Sequence, residues 1–336
     1  MNRVLVIRFS SLGDIVLSST VVGLLQERNP DLIIDYLVHE RFSSLVAHFD
    51  PPPNNIIAFP PSAQARDLPG FAQNLANNRY DLVIDLHDSL RSKILRRFLQ
   101  PIDLRVYRKP RLKRWLLFYG YINRFSEDYA VVSEYLRYAG LKNPTGKPRP
   151  KLAVSDSEAG EICQQFGLQQ DIISCVPGAA WPQKSWIPER YTEFFTVLPD
   201  TAYSQIALLG GPHDDICDSI AGSLPASKIV NLKGKTSLPE ALAVLSRSRM
   251  AIGSDTGLLH AAEALNVPVA MILGPTSKET GARVHHPDSR AIATDLWCRP
   301  CSQNGKRRCY RSRRYCITNI SVDKVAAEVS SMLGIS

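Results

Sequence analysis

The stretch RMAIGSDTGLLHAAEALNVPVAMILGP, residues 249–275, decides the fold class of this protein. It begins and ends with apolar runs without alternation, which are typical of strands buried on both faces of a parallel sheet. Between these runs, apolar side chains recur at the spacing of one helical face, at Leu258, Leu259, Ala262 and Leu265. The stretch therefore predicts a strand, a helix and a second strand parallel to the first.

The same alternation of apolar runs and helical patterns extends along the whole chain. The runs of the first half are 4–9, 32–38, 55–59, 81–86 and 104–107, and those of the second half are 172–176, 205–211, 228–232, 249–255, 269–275 and 290–294. Eleven strands are too many for one ordinary doubly wound sheet. Residues 140–156, rich in proline, glycine and lysine, predict a linker between two sheets.

We therefore expect an α/β protein with two Rossmann-like domains, 1–150 and 151–320. The last segment, 321–336, is expected to form one amphipathic helix with Ser321 as its N-cap. In open α/β sheets, ligands bind beyond the carboxyl ends of the strands. The loops that follow the predicted strands are consequently the places to search for a site.

Composition excludes several classes of protein. The 336 residues carry a net charge of +8, with 44% hydrophobic and 21% charged residues, which is an ordinary globular mixture. No apolar run reaches the roughly 18 residues of a membrane span. The N-terminus also lacks the cleavage pattern of a signal peptide. These features predict a cytoplasmic protein.

Basic residues are concentrated in two segments. Residues 91–114 contain ten lysines or arginines and one acid, Asp103, and residues 299–314 contain seven bases and no acid. Such clusters attract phosphorylated ligands, anionic lipid surfaces or nucleic acid, although they also form ordinary solvated surface. A nucleic-acid-binding protein is disfavoured, because no RNA or DNA module is recognisable and aromatic residues are not interleaved as a stacking platform requires.

The loop after the first predicted strand, within RFSSLGDIVLSS (8–19), leads into a helix near Asp14. Ser10 to Gly13 form this loop, and the glycine permits close approach of backbone to a ligand. Asp14 has two interpretations: it caps the helix, or it serves as a general base at the mouth of the strand. The loop matches neither the dinucleotide fingerprint nor a P-loop, which argues against an NAD enzyme or an NTPase in this half.

Three loops of the second half contain small or polar residues. In PGAAWPQKSWIPERY (177–191), a small-residue loop precedes Lys184, an arrangement that suits phosphate as well as ordinary solvent. Gly210 and Gly211 end another strand and make either room for a nucleotide or a tight turn. Near Thr236, that residue or Ser237 is expected to cap the next helix, and Thr236 is also a candidate for a ribose or adenine contact.

The fourth such loop belongs to the stretch quoted first. Asp255, Thr256 and Gly257 stand where a buried strand becomes a helix, whose first N–H groups are unpaired and bind phosphate readily. Asp255 would repel phosphate, so it suits a hydroxyl group or the positioning of another side chain. His260, one turn into the helix, is either a phosphate or sugar ligand or a satisfied core residue.

Three motifs together resemble a known family. GSDTGLLHAAEALNVPVAMILGPT, RFSSLGDIVLSSTVVGLL and PGAAWPQKSWIPERY resemble, in order and spacing, the motifs of bacterial ADP-heptose:lipopolysaccharide heptosyltransferases. The resemblance implies the GT-B architecture, with the acceptor bound by the first Rossmann-like domain, the nucleotide sugar by the second, and an interdomain cleft between parallel sheets. It also implies an inverting, metal-independent transfer of heptose from ADP-heptose to the inner core of lipopolysaccharide, with no required cofactor.

The resemblance assigns roles to individual residues. Asp14 would be the general base, and Lys184 would neutralise the departing diphosphate. Asp255 would contact heptose hydroxyls, with Thr256, Gly257 and His260 at the diphosphate. The remaining donor-binding residues would be Gly178, Ala179, Gly210, Gly211 and Thr236. The acceptor-binding residues would be Ser10, Gly13, Arg91, Lys93, Arg108, Lys109 and Arg111.

The family's acceptor implies a partner and a location. It is the phosphorylated, acidic core of lipid A, either Kdo-lipid A or a heptosylated core, so a location at the inner face of the inner membrane is expected. We also expect a monomer. The segment 114–121 is then either a contact with the bilayer or ordinary core. Transfer of a different nucleotide sugar to a cell-surface polysaccharide is the alternative, since the motifs do not identify the acceptor.

Four of the seven cysteines lie within nineteen residues, at Cys298, Cys301, Cys309 and Cys316. The first pair has the spacing of a zinc site, but the second pair of a zinc ribbon is missing. In a reducing cytoplasm, free thiols are expected, with a structural zinc as the alternative. Thiolate ligands suit a structural metal rather than sugar transfer, so a catalytic metal is not expected.

Overall fold

The βαβ unit predicted from residues 249–275 is present in the computed structural model, which describes residues 1–60, 67–141 and 147–335. By their contacts these residues divide into two compact units. The first comprises 1–110 and 131–153, and the second comprises 111–130 and 154–336. Of the predicted linker 140–156, residues 142–146 lie outside the described part of the chain.

The first unit contains a five-stranded parallel sheet in the order β3-β2-β1-β4-β5. Its strands are β1 Arg3–Ile7, β2 Ile33–His39, β3 Asn55–Phe59, β4 Leu82–Asp85 and β5 Asp103–Val106. Its helices are α1 Leu12–Arg28, α2 Ser43–Ala47, α3 Leu68–Ala76, α4 Leu90–Leu99 and α6 Val131–Tyr138. Ile7 pairs in register with Leu37 and with Asp85. The loops after β1, β2 and β4 therefore share one edge of the sheet.

The second unit contains a six-stranded parallel sheet in the order β11-β10-β9-β6-β7-β8. Its strands are β6 Ile172–Val176, β7 Gln205–Leu208, β8 Ile229–Asn231, β9 Ser248–Ser254, β10 Val269–Leu273 and β11 Arg290–Ala293. Its helices are α5 Arg111–Tyr119, α7 Asp156–Gln165, α8 Pro188–Val197, α9 Ile216–Ala221, α10 Leu238–Ser246, α11 Gly257–Ala264, α12 Tyr315–Thr318 and α13 Val322–Leu333.

All eleven predicted strands are present, and the helix expected at the C-terminus is α13. Ser321 caps it by accepting a hydrogen bond from the Lys324 N–H, as expected, and Gly334 ends it in the left-handed region with φ 66°. Ser336, the last residue of the expected helical segment, lies outside the described residues. No helix in the described ranges has both the length and the apolar character needed to cross a bilayer.

One glycine explains how the second sheet is packed at its centre. A Cβ placed on Gly253 in β9 would lie 2.1 Å from the carbonyl oxygen of Val176 in β6. Only a residue without a side chain fits there. The glycine lets β9 and β6 run side by side, and the loops after these two strands therefore lie next to each other.

Residues 111–130 pack with the second unit, whereas the boundary expected from the sequence lay at residue 150. Arg283 Nη1 donates to the backbone oxygens of Asp128 and Tyr129 at 3.1 and 2.9 Å, and Arg307 Nη1 donates to that of Phe118 at 3.0 Å. Backbone carbonyls accept these three bonds, so the identities of Phe118, Asp128 and Tyr129 give no sign of them.

Candidate functional site

Asp14 lies in the first turn of α1, directly beyond the end of β1. Its Oδ2 accepts hydrogen bonds from the Ser11 hydroxyl at 2.9 Å and from the Ser11 N–H at 3.4 Å, which completes a capping box. The capping interpretation of Asp14 is therefore correct. The side chain is still 35% exposed, so capping leaves room for a ligand at the same carboxylate.

Two residues that were not predicted from the sequence surround this carboxylate. Arg8, only 2% exposed, forms an ion pair with Asp14 Oδ2 and also donates to the backbone oxygen of Leu86. The Tyr135 hydroxyl donates to Asp14 Oδ1 at 3.2 Å, and the Arg8 guanidinium lies 5.7 Å from the centre of the Tyr135 ring. A sequence signal existed for Arg8, because it is a charged residue at the end of a predicted buried strand.

The environment of Asp14 keeps the carboxylate ionised. Burial raises its pKa, but the positive charge of Arg8 and the hydrogen bonds from Ser11 outweigh burial and lower the pKa to about 2. Lys109, one of the predicted acceptor residues, is close enough for its charge to lower the pKa further. At neutral pH, Asp14 is therefore a hydrogen-bond acceptor for a hydroxyl group.

A cavity of about 480 Å³ lies at the same edge of the first sheet. It is lined by Phe9, Ser10, His39, Arg41, His87, Ser89, Leu90 and Arg91. Ser10 and Arg91 were predicted from the sequence, whereas His39, Arg41 and His87 were not. Burial, together with the charges of Arg8 and Lys109, lowers the pKa of His87 to about 4, so that His87 is neutral. The arginines therefore supply the positive charge of this cavity.

Four other predicted acceptor residues do not line this cavity: Gly13, Lys93, Arg108 and Arg111. Lys93 and Arg108 are exposed, and Gly13 is buried in α1. Arg111 belongs to α5 and therefore to the second unit. Part of the basic segment 91–114 is internal structure, since Arg96 pairs with Asp85 at 2.9 Å.

In the second unit, Lys184 and Asp255 form an ion pair. Lys184 Nζ lies 2.8 Å from Asp255 Oδ2, with the two side chains 13% and 11% exposed. Thr276, which was not predicted from the sequence, donates to the same oxygen at 2.8 Å, and His260 Nε2 lies 3.8 Å from Oδ1. Burial opposes ionisation of Asp255, but Lys184 and His260 outweigh it and hold the pKa well below its usual range.

Two polar atoms at the start of α11 have no hydrogen-bond partner among the described residues. Thr256 is the N-cap of this helix, but its hydroxyl does not cap it, and both Thr256 Oγ1 and His260 Nδ1 are buried. Buried polar atoms are almost always paired in folded proteins. Beside the free N–H groups of the helix, these atoms are placed to bind an anionic or hydroxyl-bearing ligand.

The glycines of the neighbouring loops surround Asp214. A Cβ on Gly178 would lie 2.6 Å from the carboxylate of Asp214, and a Cβ on Gly210 would lie 3.0 Å from its Cβ. The N–H of Gly211 donates to Asp214 Oδ2 at 2.7 Å. The turn interpretation of this glycine pair is correct, and Asp214 is an additional acid at the predicted nucleotide loop. Ala179 is half-buried beside it.

Ser237 rather than Thr236 caps α10. Its hydroxyl accepts from the Glu240 N–H at 3.4 Å, and its own N–H donates to Glu240 Oε2 at 2.6 Å. Thr236 is half-buried just before the cap. Its side chain is therefore not needed for capping.

The cysteine-rich segment packs against the lysine loop. Gly305 has a φ of +85°, and a Cβ there would lie 2.5 Å from Cγ of Lys184. The four clustered cysteines are free thiols. No group of three or more His, Cys, Asp or Glu side chains in the described ranges is arranged to hold a metal ion.

Two parallel sheets, each with polar side chains beyond its strand ends, define a two-domain α/β protein. Within that class, a family model described as glycosyltransferase family 9 (heptosyltransferase) matches residues 70–310. The chain belongs to this family and is a glycosyltransferase. The family membership suggested by the three sequence motifs is thereby confirmed.

Individual relatives agree with the family match. Lipopolysaccharide heptosyltransferase 2 of Escherichia coli K12 is 28% identical over 307 residues, which cover 84% of this chain and 86% of the relative. Lipooligosaccharide heptosyltransferase 2 of Haemophilus influenzae is 28% identical over 298 residues, which cover 82% of this chain and 84% of the relative.

A solved structure described as the E. coli ADP-heptose LPS heptosyltransferase II has a TM-score of 0.77 at 24% identity. The similarity covers 99% of this chain and 98% of that chain. The predicted α/β fold class, with two Rossmann-like domains of the GT-B type, is therefore confirmed.

Proposed function

We propose that this protein transfers heptose from ADP-heptose to the inner core of lipopolysaccharide, with inversion and without a metal ion. The observation that carries the proposal is the start of α11. There, two buried polar atoms without a partner in the described part of the chain lie beside helix N–H groups, next to Asp255, the partner of Lys184. Family membership and the substrates in the names of its relatives support the same donor and acceptor.

The donor is proposed to bind with its diphosphate at the N-terminus of α11. Negative charge grows on the departing ADP as the bond to the sugar breaks, and a helix N-terminus with a lysine stabilises that charge. Thr256 and His260 would contact the diphosphate, with Gly257 allowing its approach. Lys184 would turn from Asp255 toward the phosphates, which leaves Asp255 to accept a hydrogen bond from a heptose hydroxyl.

The small-residue loops complete the proposed donor site. Gly178 and Ala179 would lie near the phosphates, and Gly210, Gly211 and Thr236 near the nucleoside. Asp214 is held against these glycines, and its carboxylate is a suitable acceptor for ribose hydroxyls. A carboxylate at this position favours a sugar hydroxyl over an additional phosphate.

Asp14 is proposed as the general base. The acceptor hydroxyl donates to its carboxylate, the oxygen forms a bond with the anomeric carbon, the proton passes to Asp14, and ADP leaves with the bonding electron pair. Because a carboxylate with a pKa of about 2 is a weak base, proton transfer would accompany bond formation rather than precede it. Tyr135 and Arg8 would hold the carboxylate in position.

The acidic acceptor is proposed to bind in the cavity of the first unit. Its lining contains Arg41 and Arg91, and Lys109 acts on the neighbouring Asp14 and His87. Arginine binds carboxylate and phosphate oxygens in a bidentate manner. Lys93, Arg108 and Arg111 would add attraction at longer range, at the inner face of the inner membrane, for an enzyme that acts as a monomer.

A transfer assay with ADP-heptose and truncated lipopolysaccharide acceptors tests the proposal. We expect transfer to one inner-core acceptor, release of ADP, and retention of activity with a metal chelator. Thermal unfolding should show stabilisation by ADP-heptose. If another nucleotide sugar stabilises the protein and is transferred instead, the donor assignment is wrong, and indifference to every ADP-sugar would overturn the donor site.

A further inference from the structure

The exposed aromatic residues of this protein lie in two segments of the second unit. Among the described residues, the tryptophan, tyrosine and phenylalanine side chains classed as exposed are Trp115, Tyr119, Tyr121, Trp297 and Tyr310. Trp115 is 57% exposed and Trp297 is 65% exposed. Scattered exposed apolar residues are ordinary, but this concentration of aromatic rings marks an interaction surface.

The two segments form one surface. The ring centres of Tyr121 and Trp297 lie 5.0 Å apart, and the hydroxyl oxygens of Tyr121 and Tyr310 lie 3.3 Å apart. In α5, the Trp115 and Tyr119 rings lie 6.3 Å apart. We call this the aromatic–basic surface. Its exposed apolar residues are Leu112, Trp115, Tyr119, Tyr121, Trp297 and Tyr310. Its basic residues, from the same two segments, are Arg111, Lys113, Arg114, Arg307, Arg308 and Arg311.

Helix α5 is apolar on two opposite sides. Leu117 and Phe118 are buried against the second unit, whereas Leu112, Trp115 and Tyr119 share an exposed face with i, i+3 and i+7 spacing. A helix that contacts only its own domain and water carries polar residues on its outer face. The exposed face of α5 therefore has a second, less polar environment.

The charges around these rings identify that environment. The Arg307 guanidinium lies 4.7 Å from the centre of the Tyr119 ring, and residues 299–314 contain seven bases without an acid. The acids in the neighbouring sequence are Glu127, Asp128 and Asp295. Tryptophan and tyrosine favour the interface between lipid and water, and lysine and arginine are attracted to anionic headgroups.

We infer that the aromatic–basic surface docks on an anionic lipid bilayer. A second copy of this chain fits less well, because a symmetric contact would place the same cationic surface against itself. Docking would insert the Trp115 and Trp297 rings at headgroup depth, with the basic residues on lipid phosphates. The inference rests on the proposed location at the inner membrane, and it adds which surface of the protein makes the contact.

Co-sedimentation with vesicles tests the inference. The full-length protein should bind phosphatidylglycerol/phosphatidylethanolamine vesicles, bind phosphatidylcholine vesicles weakly, and lose binding as salt is raised. Trp115→Ala combined with Trp297→Ala should weaken binding about ten-fold or more. A control with exposed apolar residues elsewhere, Ile102→Ala with Val197→Ala, should bind as the wild type does.

Charge is tested in the same assay. Lys113→Gln with Arg308→Gln should weaken binding by roughly five-fold per charge, whereas the charge-matched control Lys147→Gln with Lys151→Gln should change binding little.

Thermal stabilisation by ADP should be unchanged in the tryptophan variant, which would show that its fold and donor site are intact. Transfer to a water-soluble core oligosaccharide should also be retained.

Three results would overturn the inference. The first is wild-type binding of anionic vesicles by the tryptophan variant, and the second is equal binding of neutral and anionic vesicles by the wild type. The third is a dimer in sedimentation velocity that the tryptophan variant lacks, which would assign the surface to self-association. If the wild type binds anionic vesicles but transfers no heptose to the soluble acceptor, the proposed function is contradicted and the inference about the surface is not.

Discussion

Lys184 Nζ and Asp255 Oδ2 lie 2.8 Å apart although the two residues follow different strands. The contact exists because β6 and β9 are neighbours, with Val176 paired to Gly253 at their ends. Loops that leave neighbouring parallel strands open at the same edge of the sheet. The ion pair holds Lys184 near the start of α11, where the diphosphate is proposed to bind.

The two members of this pair should be strongly coupled in their effect on stability. Lys184→Met or Asp255→Asn alone should lower the free energy of unfolding by about 3 kcal/mol, because each leaves a poorly hydrated partner. The double variant should lose less than the sum of the single losses. Urea unfolding at pH 7 measures this, with the exposed pair Lys228→Met and Asp200→Asn as a control expected to cost less than about 1 kcal/mol.

The contribution of Asp255 to stability should depend on pH. Its pKa in the folded protein is depressed, so its stabilising contribution is complete above the usual aspartate pKa of about 4 and is lost as the pH falls toward the folded value. The difference in unfolding free energy between wild type and Asp255→Asn should therefore shrink on acidification below about pH 4. A difference that grows on acidification would contradict the assignment of the ion pair.

Asp14→Asn should strongly reduce turnover and preserve donor binding. Loss of a general base typically reduces turnover by about 10²- to 10⁴-fold, while the ADP site is built from other side chains. The unfolding free energy should fall by about 2 kcal/mol, since buried Arg8 loses its ionic partner. Steady-state transfer and ADP calorimetry measure these effects. The control Asp31→Asn, at an exposed aspartate, should behave as wild type.

Arg8 should determine the pH below which kcat/KM decreases in acid. Because the charge of Arg8 lowers the pKa of Asp14, Arg8→Gln should raise that pKa and move the acidic limb of the kcat/KM profile to higher pH. Arg8→Lys keeps the charge and should leave the limb closer to its original position. If the limb is unchanged in Arg8→Gln while the variant is folded, Asp14 is not the titrating base.

Thr256→Val should weaken ADP binding without destabilising the protein. The Thr256 hydroxyl is buried and makes no hydrogen bond within the described residues, so its removal should cost little stability. A lost contact to phosphate should weaken ADP binding about ten-fold. Thr20→Val is the matched control: this hydroxyl donates to the backbone oxygen of Leu17 at 3.1 Å. It should cost stability and leave the Kd for ADP unchanged.

Most of the fold was predictable because it depends on local patterns. Unbroken apolar runs mark buried parallel strands wherever they occur, and all eleven runs became strands. The positions of the candidate residues were predictable in part, since Asp14, Lys184 and Asp255 closely follow the ends of strands. Four further residues were not predicted, because each contacts a partner that is distant in the chain or lies in a turn. They are Arg8, Tyr135, Thr276 and Asp214.

The sequence by itself determined the α/β class, the strands and helices, and the three motifs of the family, since hydrophobic periodicity and loop chemistry are local properties. Only the tertiary structure decided which charges meet. The order of strands joins Lys184 to Asp255, and packing of α6 brings Tyr135 to Asp14. Side-chain bonds to backbone oxygens also attach residues 111–130 to the second unit and assemble the aromatic–basic surface. Such pairings depend on sheet order and on backbone acceptors common to every residue, so no local pattern encodes them.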